Sequence, residues 1–108
     1  GRPINEFQGL QWKLADMSIK LAASQALVYN AARSGEGGFP DMLMAAQAKV
    51  FTSESAIQVV NDALQFFGAR GYSRELPLER MARDVRMFTI GGGTAEVLRN
   101  VVAGALLK

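Results

Sequence analysis

The chain has 108 residues, 49% of them hydrophobic, with twelve basic and ten acidic side chains and a formal charge of +2. That length suits one domain, and the apolar content is too high for a disordered segment. The absence of both cysteine and histidine excludes disulfides, thiolate chemistry and the commonest general base and metal ligand.

From Ile4 to Arg33 the pattern predicts a helix. Phe7, Leu10, Leu14, Met17, Leu21 and Val28 recur at helical spacings and form one apolar stripe. Asn5 followed by Gln8 reads as an N-cap with its capping-box partner. Ser34-Gly35-Glu36-Gly37-Gly38 is expected to end this helix in a mobile loop. Pro40 suits the first position of a second helix, whose stripe runs Ala46, Val50, Ile57, Val60, Leu64, Phe67, with Gly68 and Gly71 as its end. A third, shorter helix is expected from about Pro77, with Glu79/Arg83 and Arg80/Asp84 as i,i+4 pairs. Gly91-Gly92-Gly93 breaks it. Thr94 then caps a fourth helix, with Glu96 in its first turn opposing the helix dipole.

No window alternates with period two, so strands are not expected. The expected fold is all-α, an antiparallel bundle of two long helices followed by two shorter ones. It has an apolar surplus: Trp12, Ile19 and Leu27 lie off the first stripe, and Phe51, Val59 and Phe66 lie off the second. A unit this small does not need so wide an apolar belt. Another helix, another subunit, or both are expected to cover it.

No run approaches the roughly 18–20 apolar residues that span a bilayer, and the late run from Val101 to Leu107 is broken by Gly104. No membrane partner is expected. Interleaved charges give no case for nucleic acid either. No signal-peptide pattern is visible, and the lack of cysteine fits a reducing, cytoplasmic setting. The opening Gly1-Arg2-Pro3 lacks a methionine, as expected of a piece of something longer.

Few chemistries survive. A triad lacks its base, the dispersed carboxylates make no metal site, and the glycine run is neither a Walker A loop nor a dinucleotide fingerprint after a strand. What remains is a set of polar groups near helix ends: Gln8, Gln65, Arg70, Thr94 and Glu96. Glycines at a helix start let a phosphate, carbonyl or flavin approach the backbone closely; a flexible turn is the competing reading. Gln65 beside Phe66 and Phe67 could hold a ligand's polar edge while the aromatics cover its rings.

Five motifs in order resemble one family. They are Gly1-Arg2-Pro3-Ile4-x-x-Phe7-Gln8, then Ala46-x-Ala48-Lys49, then Asp62-Ala-Leu-Gln65-x-x-Gly68-x-x-Gly71-Tyr72, then Pro77-x-Glu79-Arg80-x-x-Arg83-Asp84, then Gly93-Thr94-x-Glu96-Val-x-Arg99. Together they resemble the C-terminal helical domain of the acyl-CoA dehydrogenases, over nearly the whole chain. The resemblance implies that residues 1–108 are a single partial domain lacking the bundle's first helix. It implies a homo-oligomeric FAD enzyme, dimer or tetramer, that oxidises an acyl-CoA thioester to the 2-enoyl-CoA. A carboxylate takes the α-proton, hydride passes to the flavin, and an electron-transfer flavoprotein is the partner.

Carried over by resemblance, Phe7 and Gln8 would touch the adenosine part of FAD from a neighbouring subunit. Gln65, Phe66, Phe67, Gly68 and Ala69 would lie on its pyrophosphate and ribose; Ala69 replaces the family's usual glycine. Thr94 and Glu96 would contact FAD beyond the active-site loop, and Gly92 and Gly93 would line the thioester. Gly92 stands where many members have the glutamate base, so no catalytic residue is expected on this chain. Relatives resembling isovaleryl-CoA dehydrogenases carry that glutamate on the first helix of the bundle instead. A non-catalytic oligomerisation module, or a degenerate family member, is the alternative.

Overall fold

The boundaries of the helices follow from local capping chemistry. The computed structural model describes all residues from Gly1 to Lys108. After a short 3-10 turn at Ile4–Glu6, the chain forms α1 (Gln8–Arg33), α2 (Met42–Tyr72), α3 (Leu78–Met87) and α4 (Ala95–Leu106), with no strand. The expected all-α arrangement of two long and two short helices is the one observed.

Three expected boundaries are corrected. Asn5 does not cap α1: Phe7 occupies that position without a side-chain cap, and the Asn5 carbonyl instead accepts from Gln11 Nε2 at 3.0 Å. Gln8 is therefore the first helical residue, not a capping-box partner. Pro40 is not the first residue of α2, because Asp41 is the stronger cap; its carboxylate accepts from the Met44 amide at 2.9 Å. Gly68 and Gly71 do not end α2. The chain kinks at Gly68 (φ 54°, ψ −132°), which favours glycine, and resumes helical geometry to Tyr72. Gly71 is required for packing, since a Cβ there would stand 2.4 Å from the Leu64 carbonyl oxygen.

The link from α1 to α2 is organised around Ser34. Its hydroxyl donates to the Ala31 carbonyl at 2.6 Å and accepts from the Asp41 amide at 2.8 Å. Glu36 and Gly37 both adopt positive φ, folding the chain back so that α1 lies against α2.

α2 is the axis of the fold. Helices α1, α3 and α4 each pack on it, and no pair among those three brings its Cα atoms within 8 Å. Ala46, Ala48, Ser53, Ser55 and Val60 are the buried residues along α2 before the kink, small enough for neighbouring helices to approach. The buried Ser53 hydroxyl donates to the Lys49 carbonyl at 2.7 Å, so its burial leaves no orphan group. Arg99 joins α4 to α2 through Glu54, and Lys13 joins α1 to α2 through Asp62 at 3.0 Å.

The expected apolar surplus is present. Only nine of 108 residues are buried, and the apolar ones among them are four alanines and one valine. Alanine-sized burial contributes far less than the ~1.5–3 kcal/mol of a buried leucine or phenylalanine. The accessible surface is 7723 Å², about 1,800 Å² more than a folded monomer of this mass exposes. The radius of gyration, 16.7 Å, compares with about 13 Å for a compact domain of equal length. Of the residues expected to form the surplus, Trp12, Ile19 and Phe51 are exposed while Leu27, Val59 and Phe66 are half-buried. Leu14, Leu21 and Val28 of the first stripe and Phe67 of the second are themselves exposed, so the surplus reaches onto the stripes. No helix is long and apolar enough to cross a membrane.

Candidate functional site

The glycine run lies between the end of α3 and the start of α4, and it is an ordered turn. The Ile90 and Gly91 amides both donate to the Met87 carbonyl, at 2.9 and 2.8 Å, and the Ala95 amide donates to the Thr89 carbonyl at 3.0 Å. Thr89 is buried, and its hydroxyl donates to the Arg86 carbonyl at 3.0 Å while the Arg86 guanidinium donates to that hydroxyl. Gly92 and Gly93 take φ of 68° and 95°, the left-handed region where a Cβ is penalised. The Thr94 hydroxyl then accepts from the Val97 amide at 3.1 Å and starts α4 as expected.

One side chain from a distant part of the sequence reaches into this turn. Lys49 Nζ, on α2, donates to the Gly91 carbonyl at 2.5 Å and to the Gly93 carbonyl at 3.0 Å. Every peptide bond is trans, so each amide N–H points opposite to the carbonyl of its own peptide group. With both carbonyls drawn to Lys49, the amides of Gly92 and Thr94 face the other side. Neither donates to an acceptor within the backbone. They are two unpaired backbone donors beside glycines whose missing Cβ atoms leave the backbone approachable.

No carboxylate serves this turn. A Cβ built on Gly92 meets only the Lys49 ammonium, at 3.5 Å. Glu96 is exposed on the first turn of α4. The nearest charged pair along the α2–α4 seam is Glu54 with Arg99, bonded at 2.8 Å. The hydrogen bond from Arg99 holds the Glu54 carboxyl below the usual carboxylate range; slight burial opposes this and the Arg99 charge reinforces it. Glu54 is thus a held anion and a poor proton acceptor.

The second group of residues singled out in the sequence lies at the opposite end of α2. Because α1 runs back along α2, Phe66 and Phe67 meet the start of the chain. With Ile4, Asn5, Leu14 and Met17 they line an apolar pocket of about 280 Å³. Phe7 stands next to this pocket in sequence, and the Arg2 guanidinium sits 4.2 Å from its ring centroid. Gly68 has open space where its Cβ would be, and Gln8, Gln65 and Ala69 are exposed. The structure therefore gathers Phe7, Gln8 and Gln65–Ala69 into one end of the molecule. It does not bring them to Gly92, Gly93, Thr94 and Glu96. From Lys49 to Phe67 along α2 is about 27 Å at the helical rise.

Lys49 and Arg86 are the two site residues whose roles sequence reasoning missed. Lys49 stands in the Ala46-x-Ala48-Lys49 motif, but its partners lie 42 and 44 residues away, and no periodicity reports such a contact.

The comparisons agree with this fold. The family model for the C-terminal domain of acyl-CoA dehydrogenases matches residues 1–107. The 3-sulfinopropanoyl-CoA desulfinase of Paraburkholderia xenovorans (strain LB400) is 65% identical over 107 residues, covering 99% of this chain and 27% of that protein. The butyryl-CoA dehydrogenase of Megasphaera elsdenii superposes with a TM-score of 0.95 at 42% identity, covering all of this chain and 28% of that one. A chain in the structure of the electron transferring flavoprotein of Acidaminococcus fermentans gives the same TM-score at 44% identity and the same coverage. This chain thus spans little more than a quarter of the length of these relatives. With the helical fold, the motif order and the family match in agreement, the chain belongs to the acyl-CoA dehydrogenase family, as its C-terminal helical domain.

Proposed function

We propose that this chain is a single partial domain, residues 1–108, of a flavin-dependent enzyme acting on an acyl-CoA thioester, and that it lacks the base for α-proton removal. The observation that carries the reading is Gly92. Its position has no proton acceptor, and the ionisable group nearest to where its side chain would begin is the Lys49 cation. Dehydrogenation needs a carboxylate at the α-carbon. Removal of a sulfino group does not.

The reaction that fits is desulfination of 3-sulfinopropanoyl-CoA, the activity in the name of the relative that is 65% identical. The balance is internal: the carbon–sulfur bond breaks, the electron pair stays on carbon and a proton joins it. Sulfur dioxide leaves and is hydrated to hydrogensulfite. Thioester and water thus give propanoyl-CoA and hydrogensulfite, with carbon reduced, sulfur oxidised and no external oxidant. In this reading Gly92 and Gly93 line the acyl thioester, and the unpaired Gly92 amide is a donor for a carbonyl oxygen.

The residues present fit FAD at two places. Gly68, open where a Cβ would stand and flanked by exposed Phe67, allows a phosphate or ribose to approach the backbone. Phe7, Gln8 and Gln65–Ala69 would hold the nucleotide part, and Thr94 and Glu96 would contact FAD near the glycine turn. When bound, the flavin supplies a planar two-electron centre. Some 27 Å separate the two groups along α2, so a homodimer or tetramer in which they serve different copies of FAD is the assembly that uses both.

A second reading is dehydrogenation with the base on a preceding helix and an electron-transfer flavoprotein as acceptor. The near-identical backbone of the butyryl-CoA dehydrogenase domain favours it. The full-length parent separates the two. Release of hydrogensulfite from 3-sulfinopropanoyl-CoA without consumption of an electron acceptor supports desulfination. Dye reduction by a saturated acyl-CoA, with no hydrogensulfite released, supports dehydrogenation. Inactivity in both assays supports a non-catalytic oligomerisation module.

A further inference from the structure

We propose that Lys49 is the positioning residue of the glycine turn: it holds the two donor amides, rather than touching the reacting atoms itself. The problem it solves is conformational. Three consecutive glycines have more backbone freedom than any other tripeptide, so sequence alone makes Gly91–Gly93 a floppy hinge. The flanks of the turn are packed. A Cβ on Gly91 would stand 2.7 Å from Met87 Sδ, and one on Gly93 would stand 3.3 Å from Leu98 Cδ2. The middle has no such contact. Gly92 meets only the Lys49 ammonium, and the two bonds from that ammonium to the carbonyls on either side of Gly92 are the contacts that tie the centre of the turn to α2.

Those bonds also set direction. A single cation drawing the Gly91 and Gly93 carbonyls to one point orients both following peptide planes, and so turns the Gly92 and Thr94 amides to the opposite side. A charged donor suits the task because its bonds to carbonyls are stronger than neutral ones. Lys49 itself is stationed by α2, where the hydroxyls of Thr52 and Ser53 donate to the Ala48 and Lys49 carbonyls at 2.7 Å. The use of the oriented Gly92 amide in binding a thioester carbonyl rests on the function proposed above; the clamp on the turn does not.

The test uses the full-length holoprotein with Lys49→Met, which keeps the length and loses the donors, and with Lys49→Arg, which keeps charge and donors. Three quantities are read: amide exchange at Gly91 and Ala95, flavin content, and kcat against KM with 3-sulfinopropanoyl-CoA. Expected for Lys49→Met is exchange faster by about tenfold or more, unchanged flavin content, and a kcat loss exceeding any rise in KM. Lys49→Arg is expected to recover part of both. Unchanged exchange and kcat in Lys49→Met overturn the proposal. Faster exchange in a parent whose wild type is inactive on this thioester supports the clamp and refutes the functional reading. If Lys49→Met does not fold, wild-type exchange decides. Slow exchange at Gly91 and Ala95 beside fast exchange at Gly92 and Thr94 supports the clamp; uniformly fast exchange from Ile90 to Ala95 overturns it.

Discussion

Adding one methyl group at each of three glycines separates backbone strain from packing. Gly92 has φ of 68°, and a Cβ there would meet nothing closer than Lys49 Nζ at 3.5 Å, an ordinary contact. Gly92→Ala therefore carries only the left-handed penalty, about 1–2 kcal/mol. Gly93→Ala carries that penalty at φ of 95° and, in addition, a 3.3 Å contact with Leu98 Cδ2, so its cost is larger. Gly104 lies inside α4 with nothing within 4 Å of its Cβ position, and alanine there is expected to stabilise the helix by up to about 1 kcal/mol. The assay is amide exchange at Gly91 and Ala95 in the full-length protein, which reports local opening and needs no global transition. Gly92→Ala is expected to speed that exchange by about 5–30-fold, Gly93→Ala by more, and Gly104→Ala not at all. Unchanged exchange in Gly92→Ala, or equal acceleration by Gly104→Ala, refutes the reasoning.

Four further outcomes are expected. Glu54 has a folded-state pKa below its ordinary value of 4.5, so its bond to Arg99 stabilises the fold above that value and is lost as pH falls through the folded pKa. Glu54→Gln should flatten this part of an acid-unfolding profile, and an unchanged profile contradicts the assignment. Thr94→Ala removes the acceptor of the Val97 amide and is expected to cost about 1 kcal/mol, read as faster exchange in the first turn of α4. Asp62→Asn should weaken the α1–α2 junction by less than about 1 kcal/mol, an effect that fades with added salt. The isolated 108-residue chain should bind a hydrophobic dye or self-associate in sedimentation, and should show no stoichiometric flavin and no substrate-dependent bleaching. A dye-silent monomer would refute the reading of its apolar surface, and stoichiometric flavin would refute the reading of its partial site.

Much of the helical layout was legible because it depends on local chemistry. Thr94 as a cap and the Glu79/Arg83 and Arg80/Asp84 pairs act over one helical turn, and all appear as expected. The apolar periodicity located α1 and α2, although Phe7, Leu14, Leu21 and Val28 of the first stripe are exposed. The boundary errors have local causes too. Asp41 outcompeted Pro40 because a carboxylate satisfies a helix amide and proline does not. Gly68 bent α2 instead of ending it because the segment beyond still packs, with Gly71 close under the Leu64 carbonyl.

By itself, the sequence determined a cysteine- and histidine-free, all-helical unit with more apolar surface than it can cover, and a glycine where a base is expected. Side-chain chemistry and short-range periodicity are properties of the residues, so no fold was needed to read them. Only the tertiary structure decided that Gly91–Gly93 is a held turn. Only it decided that the two groups of candidate contacts lie at opposite ends of α2. Both depend on which residues meet across 40 or more positions of chain, as Lys49 meets the Gly91 and Gly93 carbonyls. Such a meeting is set by how α3 and α4 dock on α2, and local pattern carries no record of it.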